Sequence, residues 1–434
     1  MTSCVSPSEM GLQMHQWATE LFPLNRSITG EGTRSTLEYL AKLMPGLKIH
    51  SIESGAQVFD WTVPDEWQIR DAYVMDNLGN RVIDFKLNNL HVLNYSISVN
   101  EVLTLEELDS HLYSLPDQPD AIPYVTSYYS RRWGFCLTHR QREALLPGRY
   151  KVVIDSELKP GLLHYGEVLI PGKEKQEILL STYVCHPSMA NNELSGPVVT
   201  TALVRWLMEC HDLRYSYRVV FIPETIGSIV YLSLHHEYMK KVTIAGYVLT
   251  CIGDERTYSY IPSRKGKTIS DRVALHVLNH VYPDFKKYSF LDRGSDERQY
   301  CSPGIDLPIA SVTRSKYGEF PEYHTSLDNL TFVTAAGLAG GFDVYQKILE
   351  CIESNCYPKS AVLCEPQLGK RGLYPTLSTK GSGKTVKTMM DLLAYSDGEM
   401  SLLEIAETIG APMWDLIPIV KRLVDTKLLI ADKH

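Results

Sequence analysis

Apolar positions open the chain at helical spacing. Leu12, Met14, Trp17, Leu21 and Phe22 fall on one side of a helix that the Phe22-Pro23 break ends. A second helix, from about Thr33 to Leu43, puts Leu37, Leu40 and Leu43 on one face, and a strand follows over Leu47 to Ile52. Between about Gln57 and Gly161 the period drops to two. Trp61-Thr62-Val63, Asp71 to Met75, Arg81 to Phe85 and Tyr150 to Ile154 alternate or run apolar between turn residues. Asn77-Leu78-Gly79-Asn80 supplies a hairpin turn, and Tyr124 to Trp133 is dense in aromatics. Residues 57–161 are therefore expected to form a small β-rich insert.

From Leu162 to about Asn355 strands and helices alternate. Strands are predicted at Glu177 to Tyr183, Tyr217 to Ile222, Ala245 to Thr250 and Leu307 to Val312. Helices are predicted at Leu194 to His211, Ser228 to Lys241, Lys267 to Val281 and Thr334 to Ser354. That order predicts an α/β fold, a mostly parallel sheet with helices on both faces, built from residues 1–56 and 162–358. A linker rich in Gly, Pro, Ser and Thr, Glu365 to Gly383, leads to residues 384–434. There Ser401 to Gly410 looks like the first helix of a helix-turn-helix and Ala411 to Thr426 like its second, so a winged helix is expected.

Composition narrows the function classes. The 434 residues carry 43 Lys or Arg against 51 Asp or Glu, a net charge of −8. Such a chain has no global attraction to nucleic acid or to an anionic membrane. The segment 384–434 holds six basic and eight acidic residues, so its winged helix is expected to contact protein or a second copy rather than DNA. No run approaches the roughly 18 apolar residues of a spanning helix. Met1 to Met14 has neither a basic start nor an apolar core, so no secretory signal is expected. Nine scattered cysteines without a CxxC pair argue against a disulfide framework and a Cys-type zinc site. A soluble cytoplasmic protein of several domains is expected.

In an open α/β sheet, ligands bind beyond the carboxyl ends of the strands. Three such ends carry chemistry: Cys185-His186-Pro187-Ser188 with Asn191-Asn192-Glu193, then Pro223-Glu224-Thr225, then Glu322-Tyr323-His324. A lone histidine after a strand is more often a capped loop residue than a ligand. Two histidines and a glutamate meeting on one rim point instead to a borderline-soft ion such as Zn²⁺ with a neighbouring general base. Cys185 is a poor nucleophile candidate, since neighbours on an extended chain face opposite ways. The loop Arg26, Ser27, Thr29, Gly30 suits either an anion or an ordinary capped turn.

At these residues the chain resembles a family. The strand–His, Asn-Asn-Glu-Leu-Ser-Gly, Pro-Glu-Thr-Ile-Gly-Ser and Tyr-His-Thr-Ser-Leu-Asp segments are similar in order to the zinc aminopeptidases and glutaminyl cyclases of the M28 type. Arg26 to Gly30, Cys185 to Ser188, Pro223 to Ser228 and Arg293 to Tyr300 resemble a bacterial aminopeptidase-like subgroup. That subgroup has a β-rich insert and a C-terminal winged helix, and is often associated with polysaccharide biosynthesis. The resemblance implies Glu224 as catalytic base, Asp296, Arg298, Tyr300 and Tyr323 on the substrate side, and His186, Asn192 and His324 as ligands of one zinc ion. The implied substrate is a small amide or peptide.

Departures from the family pattern limit what is implied. Asn192 stands where a bridging Asp is usual, Thr225 replaces an acidic ligand, and Thr250 replaces another, with Asp254 four residues on. An amide oxygen is a weaker ligand than a carboxylate, so a two-metal cluster is not expected. The third ligand remains open between Asn192, Glu193 and Glu224, and a degenerate scaffold without turnover is the alternative function.

Overall fold

All seven residues of the strand Glu177–Tyr183 are buried, as an unbroken apolar run at the middle of a covered sheet requires. The computed structural model describes residues 6–373 and 380–432; residues 374–379 of the predicted linker lie outside the described residues. Ser216–Ile222 and Thr243–Val248 pair in parallel with Glu177–Tyr183 on either side, and Ile309–Thr313 pairs in parallel with Thr243–Val248. This four-strand parallel block is flanked by antiparallel additions. Leu162–Ile170 and then Lys48–Glu53 extend one edge, Ser259–Ile261 the other, with Lys286–Lys287 outermost. The sheet is thus mixed, eight strands wide, and parallel where the candidate residues sit.

Helix packing follows from sequence detail. Ser6 and Glu9 form a reciprocal capping box that starts the helix Pro7–Leu21, which packs on Ser195–Glu209. Nearly every residue of Ser195–Glu209 up to Leu207 is buried, as expected of a helix apolar all round. Its start needs Gly196, because a Cβ there would lie 2.3 Å from the Leu249 carbonyl oxygen. Just before it, Ala190–Leu194 forms one wide turn closed by Ser195 N–H donating to Ala190 O, a bulge type common at functional sites.

The insert is an antiparallel four-strand sheet ordered Arg81–Asp84, Glu66–Met75, Arg149–Lys159, Val99–Thr104. A two-strand ribbon, Gln57–Val58 with Trp61–Thr62, precedes it. Its apolar face (Val74, Ile83, Val152, Ile154) joins the same hydrophobic cluster as Tyr183, Val220 and Tyr300 of the α/β part. The insert and the sheet belong to one compact unit.

A second compact unit comprises residues 271–285 and 343–434. Tyr357–Ser360 pairs antiparallel with Leu429–Asp432, and the helices Lys380–Ala394, Leu402–Ile409 and Met413–Asp425 complete a winged helix. Ser401 and Glu404 form a capping box, and Gly410 at φ 66 ends that helix in the left-handed conformation. Among the described residues no helix is long and apolar enough to cross a membrane.

Within this unit the helix Met413–Asp425 begins after Pro412, which has no side-chain acceptor for the exposed N–H groups. His276 substitutes: Met413 N–H donates to His276 Nε2 at 2.9 Å. Burial and then His280 push the His276 pKa down to about 4, and His280 in turn feels Asp415. A depressed histidine pKa contributes stability that is whole above the unfolded value of about 6.5 and is lost as pH falls towards 4. Thermal melts between pH 7.5 and 4.5 should therefore show a wild-type loss of up to about 1.4 kcal/mol per pH unit that His276→Gln lacks. Parallel curves for the two proteins would refute the role of His276.

Candidate functional site

His186 lies just past the strand Glu177–Tyr183, and both of its ring nitrogens face carboxylates. Nδ1 is 2.7 Å from Glu193 Oε2, and Nε2 is 3.6 Å from Glu224 Oε2. Burial opposes the imidazolium, yet contacts with Cys185, Tyr124 and Glu193 raise its pKa well above the usual histidine value. Glu193 is held from the other side by the fully buried Arg26, whose Nε is 3.4 Å from Glu193 Oε1 and donates to His186 O at 2.9 Å. Arg26 Nη1 donates to Leu21 O at 2.6 Å. The Arg26 loop therefore serves internal partners: Ser27 Oγ donates to Asn94 Oδ1, and Thr29 Oγ1 bonds the Tyr95 hydroxyl and Trp67 N–H. It is a structural clamp.

Cys185 corrects one expectation. Its Sγ lies 3.5 Å from His186 Nδ1, because the strand has ended at Tyr183 and side chains no longer alternate. Burial pushes the thiol up to about 11 all the same, so no thiolate is available. Cys185 Sγ instead accepts the Glu224 N–H at 3.2 Å.

Glu224 is aimed by a strained turn. Thr225 sits at φ 65, ψ −74, and Ile226 N–H donates back to Glu224 O at 2.8 Å, a three-residue γ-turn of the rare positive-φ kind. A β-branched residue there costs on the order of 1–3 kcal/mol. Asp296 Oδ1 accepts from Thr225 N–H at 2.7 Å and from Ser228 Oγ at 2.8 Å, while Arg298 Nη2 donates to Thr225 Oγ1 at 2.9 Å. Ser295 Oγ donates to Glu224 Oε1 at 2.9 Å. Burial above all raises the Glu224 pKa, and burial with the nearby Glu224 charge takes Asp296 to about 7. Asp296 and Arg298 thus grip the turn that carries Glu224. Tyr300 is not brought to the cleft: it is fully buried, and its hydroxyl pairs with Ser181 Oγ at 2.9 Å.

His324 comes from the loop after Ile309–Thr313 and is also strained, at φ 56. Tyr323 stacks on it at 3.9 Å, and its ring centroid is 5.7 Å from that of His186. Its Nε2 is buried without a hydrogen-bond partner. Burial, then His186, push its pKa down to about 3, so the ring is neutral with a nitrogen to spare. Asn192 is stranger still: neither side-chain oxygen nor nitrogen has a partner, although the residue is 1% exposed. It is therefore no helix cap. Only its backbone is used, N–H donating to Asp328 Oδ2 and O accepting from Thr250 Oγ1, both at 2.9 Å.

Thr250 and Asp254 are committed to internal partners. Thr250 Oγ1 also meets the Tyr183 hydroxyl, and Asp254 accepts from Asn191, Arg256, Ser315 N–H and Ser315 Oγ. Among the described residues, Cys185, His186 and Glu193 are the His, Cys or acidic groups close enough to share an ion, within 4.8 Å of one another. In that trio Glu193 bonds His186 Nδ1 and meets Arg26 on its other side, so it also fixes the orientation of the His186 ring. Among the described residues of this rim, His324 Nε2, Glu193 Oε1 and both side-chain polar atoms of Asn192 are buried without a hydrogen-bond partner, while His186 Nε2 faces Glu224 Oε2 at 3.6 Å.

Four aromatic residues of the site, Tyr124, Tyr128, Tyr129 and Trp61, were missed by the sequence argument. Tyr124, from the insert, sets its ring edge-on to both His186 and His324, at 5.3 and 5.2 Å, and its N–H donates to His324 O at 2.8 Å. Its hydroxyl bonds that of Tyr128. Tyr128, Tyr129 and Trp61 then wall a cavity of about 180 Å³ whose floor is Cys185, His186, Glu224 and Thr225. The aromatic density of 124–133 was the only available signal for the three tyrosines.

The mixed α/β sheet with its ligand-bearing strand ends has the fold of the zinc aminopeptidases of the M28 type. The fold matches a zinc aminopeptidase from Bacillus subtilis at 12% identity and TM-score 0.57, over 79% of this chain and 94% of that one. It also matches a peptidase M28 precursor from Shewanella amazonensis at 13% identity and TM-score 0.54, over 83% and 98%. The chain belongs to the family described as a domain of unknown function, DUF4910, whose model matches residues 15–355, and residues 355–431 match a winged helix-turn-helix model. A Clostridium acetobutylicum protein crystallised as a candidate peptidase shares 43% identity and a TM-score of 0.92, over 98% of this chain and 97% of its own. A C. acetobutylicum relative described as a candidate polysaccharide biosynthesis protein with an aminopeptidase-like domain is 45% identical, over 93% of this chain and 92% of that protein.

The Asp296 grip yields a stability test. Asp296→Ala leaves Thr225 N–H and Ser228 Oγ without their buried acceptor, which should destabilise by about 2–4 kcal/mol. Asp296→Asn keeps an oxygen at the same place and should lose much less. Denaturant midpoints of the two variants measure this, and equal midpoints would remove Asp296 from the turn.

Proposed function

We propose that this protein is a single-metal hydrolase of small amide or peptide substrates, with Glu224 as general base and His186, Asn192 and His324 holding one zinc ion. The observation that carries this is the set of buried ligand atoms without protein partners, Asn192 Oδ1 and His324 Nε2, next to a His186 whose Nδ1 is already committed. Glu193 at Nδ1 turns Nε2 outward, the carboxylate–histidine arrangement common to metal-ligating histidines. A neutral donor set suits one ion; a two-metal cluster with its ions about 4 Å apart needs a bridging carboxylate that Asn192 does not provide.

Zinc bound there would supply a Lewis acid to polarise the amide carbonyl. The chain's own residues do the proton work. Glu224 Oε2 takes a proton from the attacking water and passes it to the leaving nitrogen, while Ser295 keeps Oε1 occupied so that one oxygen faces the cleft. Burial raises the Glu224 pKa towards the range in which it can both accept and return that proton. Tyr128 and Tyr129 shield the small cavity from solvent on the insert side. The C. acetobutylicum relative's description supplies the context, and we extend polysaccharide biosynthesis to this chain as its setting. For the C-terminal unit we propose a protein contact or self-association, on its excess of acidic over basic residues.

A second function, ligand binding without turnover, is favoured by Thr250, whose hydroxyl is fully used where the family pattern has an acidic ligand. Elemental analysis separates the two. Stoichiometric zinc in the purified protein, lost in His186→Ala and in His324→Ala, is the expected result; a folded, metal-free wild type would favour the scaffold.

Position 192 gives a sharper prediction. Asn192→Asp adds a negative charge beside the ion at nearly constant volume. Opposite charges ~4 Å apart gain about 4 kcal/mol at an effective dielectric of 20, before desolvation returns part of it. Zinc affinity by calorimetry should therefore tighten by about tenfold or more. Equal affinities for the two proteins would take Asn192 out of the ligand set.

A further inference from the structure

The catalytic cavity is too small to hold more than the reacting end of a substrate, and it does not end at its own rim. Trp61 forms one wall of it and, on its other side, one wall of a second groove of about 420 Å³. That groove runs between the ribbon Gln57–Val58 and Trp61–Thr62, the helix Ile226–Val242 and the loop around Ser302. The ribbon's two-residue turn is unusual. Phe59 occupies its first position at φ 54, where glycine is the ordinary choice, and leaves its ring 52% exposed. Trp61 and Tyr129 are 37% and 57% exposed and meet edge-on at 5.5 Å. Tyr129 and Trp61 thus line the Glu224 cavity, and Trp61 and Phe59 the second groove, with Trp61 common to both.

The chemistry of the second groove selects its occupant. Beside the rings stand the aliphatic Ile229, Leu232 and Ile305 and the charged Asp60, Glu237 and Lys240, a part-apolar wall with donors and acceptors of both signs. An alkyl chain would pack on the aliphatic side but leave the charged groups without partners. A cation would meet Lys240, and a phosphate would meet Asp60 and Glu237. A neutral polyhydroxylated ring satisfies flat aromatic faces and a mixed hydrogen-bonding rim together. We propose that this groove binds a saccharide ring, the distal part of a substrate whose amide lies at Glu224. The assignment rests on the amide-hydrolase proposal for the position of the reacting group, but saccharide binding itself needs no turnover.

The test is therefore a binding experiment on Glu224→Gln, which cannot act as base. Diacetylchitobiose, cellobiose and maltose serve as probes, observed by saturation-transfer NMR and by tryptophan fluorescence. At least one should bind saturably, and Trp61→Ala and Phe59→Ala should each weaken it by about tenfold, the value of one lost aromatic contact. Trp61→Phe should retain most of the affinity, which guards against a folding defect. No binding of any of the three, affinities unchanged in Trp61→Ala, or tighter binding of tetramethylammonium or inorganic phosphate at the same groove would each overturn the proposal. Saccharide binding in a protein that holds no zinc would leave the groove assigned and sink the hydrolase proposal alone.

Discussion

Glu193 is the carboxylate around which the cleft is assembled. It is buried together with Arg26, and between them the pair ties three segments: the first helix through Leu21 O, the loop after the central strand through His186 O, and the wide turn that starts the central helix. Burying two charges is costly unless geometry and further hydrogen bonds compensate, and removing one partner leaves the other stranded at about 3–5 kcal/mol. The arrangement is thus all-or-none. It also fixes a tautomer: with Nδ1 bound to Glu193, His186 can offer only Nε2 to the cleft. A structural ion pair and the orientation of the His186 ring are one interaction here.

Strain accumulates on the same rim. Ser188, Thr225, Cys251 and His324 are all non-glycine residues at positive φ, and all follow the strands that carry the candidate chemistry. Such conformations persist only where surrounding contacts over-determine them. Asp296 and Arg298 do so for Thr225. For His324 the insert does: Tyr124 N–H donates to His324 O, and Ser326 N–H donates to Ile122 O at 2.9 Å while its Oγ accepts from Ile122 N–H at 3.0 Å. The insert is consequently part of the site's architecture, which fits its sharing one hydrophobic cluster with the sheet.

Most of the α/β framework was legible because its signals are local. Glu177–Tyr183 is an apolar run of strand length, and the first two helices keep their apolar residues at helical spacing. Leu162–Ile170, Ser259–Ile261 and Lys286–Lys287 escaped notice; the last has two lysines, and its strand character comes only from its partner. The rim residues His186, Glu224 and His324 were legible for a topological reason, since parallel strands deliver their ends to one side. What could not be read was which side-chain atoms would be consumed. Nothing in the spacing says that Glu193 belongs to Arg26, that Tyr300 turns inward to Ser181, or that Tyr124 crosses from the insert. Those pairings join residues 167, 119 and 200 positions apart in the chain, and only coordinates resolve them.

 

The replaced ligands differ among themselves, and the difference bears on what the cleft does. Thr250 has been absorbed: its hydroxyl bonds Tyr183 and the Asn192 carbonyl, as a residue does where no ion is needed. Asn192 and His324 have not been absorbed. Each unpartnered buried polar group costs about 1–3 kcal/mol, and Asn192 strands two such atoms beside the one on His324. An apolar side chain at either position would remove that cost, whereas a bound cation would take Asn192 Oδ1 and His324 Nε2 as ligands and leave the Asn192 amide nitrogen as it is. The stability deficit and the chemistry therefore fall on the same residues. A cleft that had merely lost its ions would be expected to close its hydrogen bonds throughout, as it has at Thr250. Closure at Thr250 and orphaned donors and acceptors at Asn192 and His324 therefore mark two different fates on one rim.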